Sequence, residues 1–352
     1  MKSHRKVLGI LIAFAAIPLV ACSGTGGGAP STDGAPTPVN FVLNFTPGPQ
    51  HEEFVVAADS FYSDAGLDVK MTSPSSTTDS ISLVAGGSAD VGLGYAGDVI
   101  SAQAQGVPVK TVAVIHRRIA LGLLSKPGSG IETPQDLIGK TVGLTMIPAN
   151  VAMFDELLAA NDIDPSQVNV VPVGFNGPQM VASGEVDAAD AVAWYELGVY
   201  KQLTGEDATY MEFTDFGVPD GYYLSVISSD KFINEHPDTL KAFLQATLDA
   251  EKWTIENPDE ADDILLANVD GVTKEFARQS RGVLDTVIVD DASQEHGLGW
   301  SDEAVWQKQV DFYERTKQID TDVDVANLFT NDFLPADPVT VDVPTPSSTP
   351  AS

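Results

Sequence analysis

The chain has 352 residues, enough for two domains of ordinary size, and its 43% hydrophobic content can supply their cores. Fifty acidic residues stand against 19 basic ones, for a formal net charge of −31. Such a surface excludes nucleic acid as a partner, because that binding rests on Lys and Arg neutralising phosphates.

Three of the basic residues, Lys2, Arg5 and Lys6, open the chain. The apolar run Val7 to Val20 and the small Ala21 follow, so residues 1–21 read as a signal peptide. Leu19-Val20-Ala21-Cys22 resembles the bacterial lipobox, in which the cysteine becomes the lipidated start of the mature protein. Cys22 is the only cysteine, so no disulfide can close within the chain. Residues 22–38, rich in Gly, Ser, Thr, Pro and Ala, read as that anchor and a flexible tether. Residues 338–352 share the bias and read as a disordered tail.

Between these ends, short apolar runs alternate with helical stretches, which argues for an α/β fold. Strands are predicted over 39–43, 67–71, 90–94, 109–115, 120–124, 141–145, 168–172, 187–192 and 222–228. Helices are predicted near 50–64, 77–86, 97–105, 149–161, 176–183 and 195–204. Beyond 229 only helices are predicted, over 237–256, 258–268, 273–287 and 301–318, with Pro237 and Pro258 at favourable starting positions.

The loop after the first strand, Asn44-Phe45-Thr46-Pro47-Gly48-Pro49-Gln50-His51, joins a buried strand to a helix start. That is a common place for a ligand site in an α/β sheet. An internal echo points to a second such place. Leu83-Val84-Ala85-Gly86-Gly87-Ser88-Ala89-Asp90-Val91 is answered by Met180-Val181-Ala182-Ser183-Gly184-Glu185-Val186-Asp187-Ala188. Each ends a helix at glycine and puts Asp at the start of a strand. Each strand then leads to an aromatic segment, Tyr95 to Asp98 in the first and Trp194-Tyr195-Glu196 in the second. Two lobes of like topology facing each other across a cleft would produce this pattern.

Those segments carry a family resemblance. The order Asn44-Phe45-Thr46-Pro47, Phe61-Tyr62-Ser63-Asp64-Ala65-Gly66-Leu67-Asp68-Val69, the echo at 83–91, Gly106-Val107-Pro108-Val109 and Pro134 to Gly143 is similar to solute-binding lipoproteins of ABC importers. The group concerned is SsuA/THI5-like and includes thiamine-precursor and sulfonate, nitrate or taurine binders. The resemblance implies a type II periplasmic-binding-protein clamshell with two hinge-crossing strands. Lobe one would comprise 39–118 and 222–337, and lobe two 119–221. It also implies a monomer with no cofactor, whose partners are a small-molecule ligand, an ABC permease and its ATPase, and a membrane reached through the lipid on Cys22.

For the ligand, the resemblance implies a flat heterocycle, a thiamine-precursor pyrimidine or a flavin-like ring. Phe45, Tyr95, Trp194 and Tyr195 would stack on it. Glu196 and Asp98 would accept bonds from its amino groups, and Asn44, Gln50, His51 and Asn150 would complete the edge. The alternative is an organic anion such as an alkanesulfonate, taurine or nitrate. Glu52 and Glu53 beside the loop are poor company for an anion. A more remote alternative is a pyrimidine-synthase-like enzyme. The yeast synthases of this group have a cysteine-rich motif, and this chain has no cysteine after Cys22.

Other motifs lead nowhere. Gly139-Lys140-Thr141 lacks the first glycine of a P-loop, because Pro134 occupies its place, and it opens a strand rather than a helix. The five histidines fall in no zinc-binding spacing, so no metal is expected. His116-Arg117-Arg118 sits at the expected crossing between lobes, and a structural salt bridge is its simplest use.

Overall fold

The computed structural model describes residues 35–75 and 79–342. The signal segment, Cys22, most of the tether and residues 343–352 lie outside the described residues.

In chain order the strands are β1 (Thr37–Val42), β2 (Leu67–Thr72), β3 (Val91–Tyr95), β4 (Val109–His116), β5 (Leu121–Ser125), β6 (Thr141–Leu144), β7 (Asn169–Pro172), β8 (Ala188–Val192), β9 (Thr209–Glu212) and β10 (Leu224–Ser229). They form two five-stranded sheets ordered β2-β1-β3-β10-β4 and β7-β6-β8-β5-β9. The fold is a two-lobed α/β clamshell, one sheet to each lobe. The chain passes from the first sheet to the second through residues 117–120. It returns through 213–223, which include a 3-10 turn at Phe213–Phe216.

The helices are α1 (Glu52–Val56), α2 (Tyr62–Asp64), α3 (Asp79–Ala85), α4 (Ala96–Ala104), α5 (Pro148–Ala160), α6 (Gly177–Ser183), α7 (Ala193–Thr204), α8 (Asp230–Glu235), α9 (Pro237–Glu256), α10 (Pro258–Asn268), α11 (Lys274–Ile288), α12 (Asp291–His296) and α13 (Glu303–Arg315). A π-helical turn, Ala57–Phe61, joins α1 to α2. Proline at the first position of α5, α9 and α10 gives up a backbone N–H that would have no partner there.

The two sheets are built alike. In each, two parallel neighbours (β1 and β2; β6 and β7) lie on one side of a central strand (β3; β8), and an antiparallel strand (β10; β5) lies on the other. The aspartates of the sequence echo occupy equivalent places. Asp90 Oδ2 accepts from the Asn40 backbone N–H at 2.7 Å, and Asp187 Oδ2 accepts from that of Thr141 at 2.8 Å. Each carboxylate thus ties the start of a central strand to its parallel neighbour.

The central strands are continuous apolar runs because both faces are covered. Phe41 packs between Phe54 and Phe243, each with ring centroids 5.3 Å away, and Tyr62 stacks on Phe243 at 5.1 Å. This core joins α1 and α9 to the first sheet. Two predicted boundaries move. Thr37 and Pro38, assigned to the tether, pair with Leu67 and Asp68 in β1. The expected tail packs as far as residue 342, with Val339 and Val341 buried against α11 and Leu298 bonded to the Val339 carbonyl. Apolar residues at alternate positions give the segment a buried face despite its Pro- and Thr-rich composition.

The helices after β10 touch both lobes. On one flank α11 packs on α7, where Phe276 fills a notch at Gly198 and Thr273 and Glu275 meet Gln202 and Lys201. The same helix is pinned to lobe one by Arg281. This buried guanidinium bonds Glu52 at 2.6 and 3.2 Å, Asp262 at 2.5 Å, and the Pro258 carbonyl. On the other flank α13 lies along α4 and reaches α5 through an Arg315–Glu156 pair at 2.7 Å.

A Cβ on Gly198 would stand 2.2 Å from the Phe276 ring. Gly198→Ala is therefore expected to destabilise the fold by about 1–3 kcal/mol through overpacking. Adding Phe276→Leu should restore part of that loss. Thermal melts of the two single variants and the double variant measure the coupling, and simple additivity would contradict the packing described.

Candidate ligand-binding site

The carboxyl ends of the parallel strands point into the space between the sheets, where ligands bind in α/β folds. A cavity of about 280 Å³ occupies that space. Asn44 and Phe45 follow β1. Tyr95 ends β3, with Asp98 in the first turn of α4. From lobe two, Thr145 and Asn150 flank the start of α5, Asp190 lies in β8, and Trp194, Tyr195 and Glu196 open α7. The chain's return between lobes adds Tyr222 and Tyr223, and α13 adds Gln309 and Tyr313.

Aromatic rings form one wall. Tyr223 lies 5.2 Å from Trp194 and 5.0 Å from Tyr95, both at steep interplanar angles, and His116 lies 4.8 Å from Trp194. At the edge, Phe45 of lobe one meets Phe175 at 6.0 Å and Tyr195 at 6.3 Å, both from lobe two. Such edge-on and tilted contacts suit rings whose faces and rims carry opposite partial charge.

The polar groups differ in how fully they are satisfied. Asp190 accepts from the Thr145 backbone N–H at 2.9 Å, the Thr145 hydroxyl at 2.7 Å and the Asn150 amide at 2.9 Å. Burial nevertheless raises its pKa. Glu196 Oε2 accepts from the Val192 N–H at 2.9 Å, and burial pushes this carboxyl up to about 7. Asp98 is half-buried, and burial pushes it up to about 6. It has no hydrogen-bond donor among the described residues. No lysine or arginine among the described residues lines the cavity.

Nine of the ten predicted ligand-binding residues line this cavity: Asn44, Phe45, Gln50, Tyr95, Asp98, Asn150, Trp194, Tyr195 and Glu196. His51 does not. It is fully buried behind the wall, and its Nε2–H donates to Asn44 Oδ1 at 2.8 Å. Burial lowers its pKa to about 3, so the ring is neutral and fixes which way the Asn44 amide turns. The pair leaves the Asn44 NH₂ directed at Tyr95 and the cavity. Glu52 and Glu53 also lie away from the cavity, buried in lobe one, so they do not decide what charge it accepts. The carboxylates that do are Asp98, Asp190 and Glu196. Arg117 and Arg118 form salt bridges, the first to Asp290 at 2.6 Å and the second to Glu212 and Asp220 at 2.8 and 3.1 Å.

Sequence reasoning missed Thr145, Asp190, Tyr223, Gln309 and Tyr313. An aspartate inside the otherwise apolar strand Ala188–Val192 was a usable signal for Asp190. The two α13 residues sit on an ordinary amphipathic helix face and offered none.

The sequence profile of the family described as NMT1/THI5 like matches residues 48–261, more than half of the chain. The formylaminopyrimidine-binding protein of Halalkalibacterium halodurans is 29% identical, over 94% of this chain and 99% of its own. Riboflavin-binding protein RibY of Chloroflexus aurantiacus is 27% identical, over 95% and 99% respectively. Among solved structures, the periplasmic aliphatic sulphonate binding protein SsuA of Escherichia coli superposes with a TM-score of 0.64 at 15% identity, covering 83% of this chain and 96% of that one. At that identity the likeness concerns the fold alone.

Proposed function

Since the chain belongs to the NMT1/THI5-like family, we propose that it is the extracytoplasmic substrate-binding component of an ABC importer. It captures a small heteroaromatic nutrient, a thiamine-precursor pyrimidine or a flavin-like ring, and delivers it to a permease and its ATPase. The binders of formylaminopyrimidine and riboflavin to which it is similar over nearly its whole length support this reading. Cys22 anchors it by lipid to the outer face of a bacterial cell membrane, a role supported by the charged start, the apolar run and Leu19 to Cys22. It acts by binding, without catalysis.

One observation supports the ring compound over the anion: the cavity presents three carboxylates and an aromatic wall, with no lysine or arginine among the described residues lining it. A sulfonate would meet like charge without a counter-ion, which is strongly unfavourable where water is scarce. A ring bearing amino donors meets acceptors, and its faces meet aromatic edges.

Trp194 in the wall supplies the test. Titration with 4-amino-5-hydroxymethyl-2-methylpyrimidine or riboflavin should give saturable quenching of tryptophan emission, and an alkanesulfonate should give none. Saturable binding of the sulfonate alone would replace this reading with the anion one. Glu196→Gln keeps an oxygen to cap Val192 but removes the charge. It should weaken binding of the ring compound roughly 10- to 100-fold, the worth of one hydrogen bond to a charged group.

A further inference from the structure

Three carboxylates face the cavity, and the protein treats them differently. Asp190 is held by three donors and Glu196 by one. Asp98 has none among the described residues, although it sits in the first turn of α4 with its side chain on the cavity. An unpartnered, half-buried carboxylate is unfavourable to keep, so what surrounds it indicates what it awaits.

Its surroundings are aromatic. The phenols of Tyr95, Tyr223 and Tyr313 all lie within electrostatic reach of Asp98. Tyr313 comes from α13 and stands directly over Gly97, where a Cβ would lie 1.7 Å from its hydroxyl. That residue therefore has to be glycine for the tyrosine to close this end of the cavity. Ring faces attract cations, a carboxylate attracts them more strongly, and no protein cation among the described residues lines the cavity to compete.

We propose that this end of the cavity is a cation subsite, in which Asp98, bounded by Tyr95, Tyr223 and Tyr313, pairs with a positively charged nitrogen on the ligand. The inference rests on the heteroaromatic reading above and narrows it. The transported ring carries a basic substituent, such as an aminomethyl arm, that is protonated at neutral pH. Asp98 thereby sets specificity, while Glu196 and Asn44 hold the ring's edge. A permanently neutral ring compound would leave the carboxylate desolvated and unpaired, which disfavours it.

Two probes differing only at the arm test this. 4-Amino-5-aminomethyl-2-methylpyrimidine is an ammonium at pH 7.5, and its 5-hydroxymethyl counterpart is neutral. Calorimetric titration of the full-length protein should show the amine preferred at least tenfold. In D98N that preference should fall toward unity. D98N should melt no lower than the parent protein, since the substitution removes an unpaired charge, so a folding defect cannot mimic the result. Equal or better binding of the alcohol by the parent protein, or a preference unchanged in D98N, would overturn the subsite and leave the ring-binding function standing. Failure of both compounds to bind the parent protein while riboflavin does would overturn the subsite and leave the ring-binding function standing, and binding of a sulfonate alone would overturn the ligand class and the subsite with it.

Discussion

Replacing Arg281 by methionine is expected to destabilise the protein by about 3–5 kcal/mol, the loss seen when one partner of a buried ion pair is removed. The side chain joins α1, α10 and α11, and its departure leaves Glu52 and Asp262 buried without a cation. Even with Arg281 beside it, burial pushes Glu52 up to about 7, so desolvation already outweighs the attraction there. At the usual 2–4 °C per kcal/mol for domains of 150–250 residues, the melting temperature should fall on the order of 10 °C. Adding Glu52→Gln and Asp262→Asn to the Arg281 variant should recover part of the loss, because neutral amides need no counter-charge. A thermal melt of Arg281→Met within 1 °C of the parent would show that the network is dispensable.

The second large effect is on pH dependence. Glu53 and Glu251 are buried, 3% and 1% exposed, with carboxylate oxygens that have no hydrogen-bond partner. Burial is the main cause that raises both, Glu53 to about 8 and Glu251 well above its ordinary value; the neighbouring Glu52 adds to the rise of Glu53, and Glu53 to that of Glu251. The folded state therefore holds protons that the unfolded chain releases near pH 4.5. Their contribution to stability is complete below that pH and is lost as pH rises through the folded values. His51 and His116 act in the opposite sense. Burial lowers both to about 3, so their contribution is present above 6.5 and lost as pH falls toward 3. Between pH 6.5 and 8 the acids dominate: Glu53 alone should lower stability by roughly 1–2 kcal/mol at about 1.4 kcal/mol per pH unit, and Glu251 acts in the same direction. Urea unfolding at pH 6.5, 7.2 and 8 measures the slope. The Glu53→Gln, Glu251→Gln double variant should flatten it, and a variant as steep as the parent would refute the account.

The sequence revealed most of the fold because its central strands are buried on both faces and appear as unbroken apolar runs. β9 escaped notice since Thr-Tyr-Met-Glu at a sheet edge is half polar, and α8 and α12 since six residues are too few to show a helical period. The echo at 83–91 and 180–188 was readable because Asp90 and Asp187 have the same structural task in each lobe, and shared tasks leave shared residues. The cavity was legible where residues follow a strand end, as Asn44, Tyr95 and Trp194 do. It was illegible where facing depends on loop geometry, as with His51 turned inward beside Gln50. It was equally illegible where a distant helix supplies the residue, as with Tyr313.

The bridging of both flanks by α11 and α13 has a consequence for how fast ligand is exchanged. A ligand that enters by an opening of the cleft has to part Phe276 from Gly198 and Arg315 from Glu156. Entry then waits on a spontaneous unlatching rather than on collision. In stopped-flow mixing the observed association rate should climb with ligand concentration only to a ceiling, set by the unlatching step. Phe276→Ala should lift that ceiling and quicken escape together, at the cost of residence time.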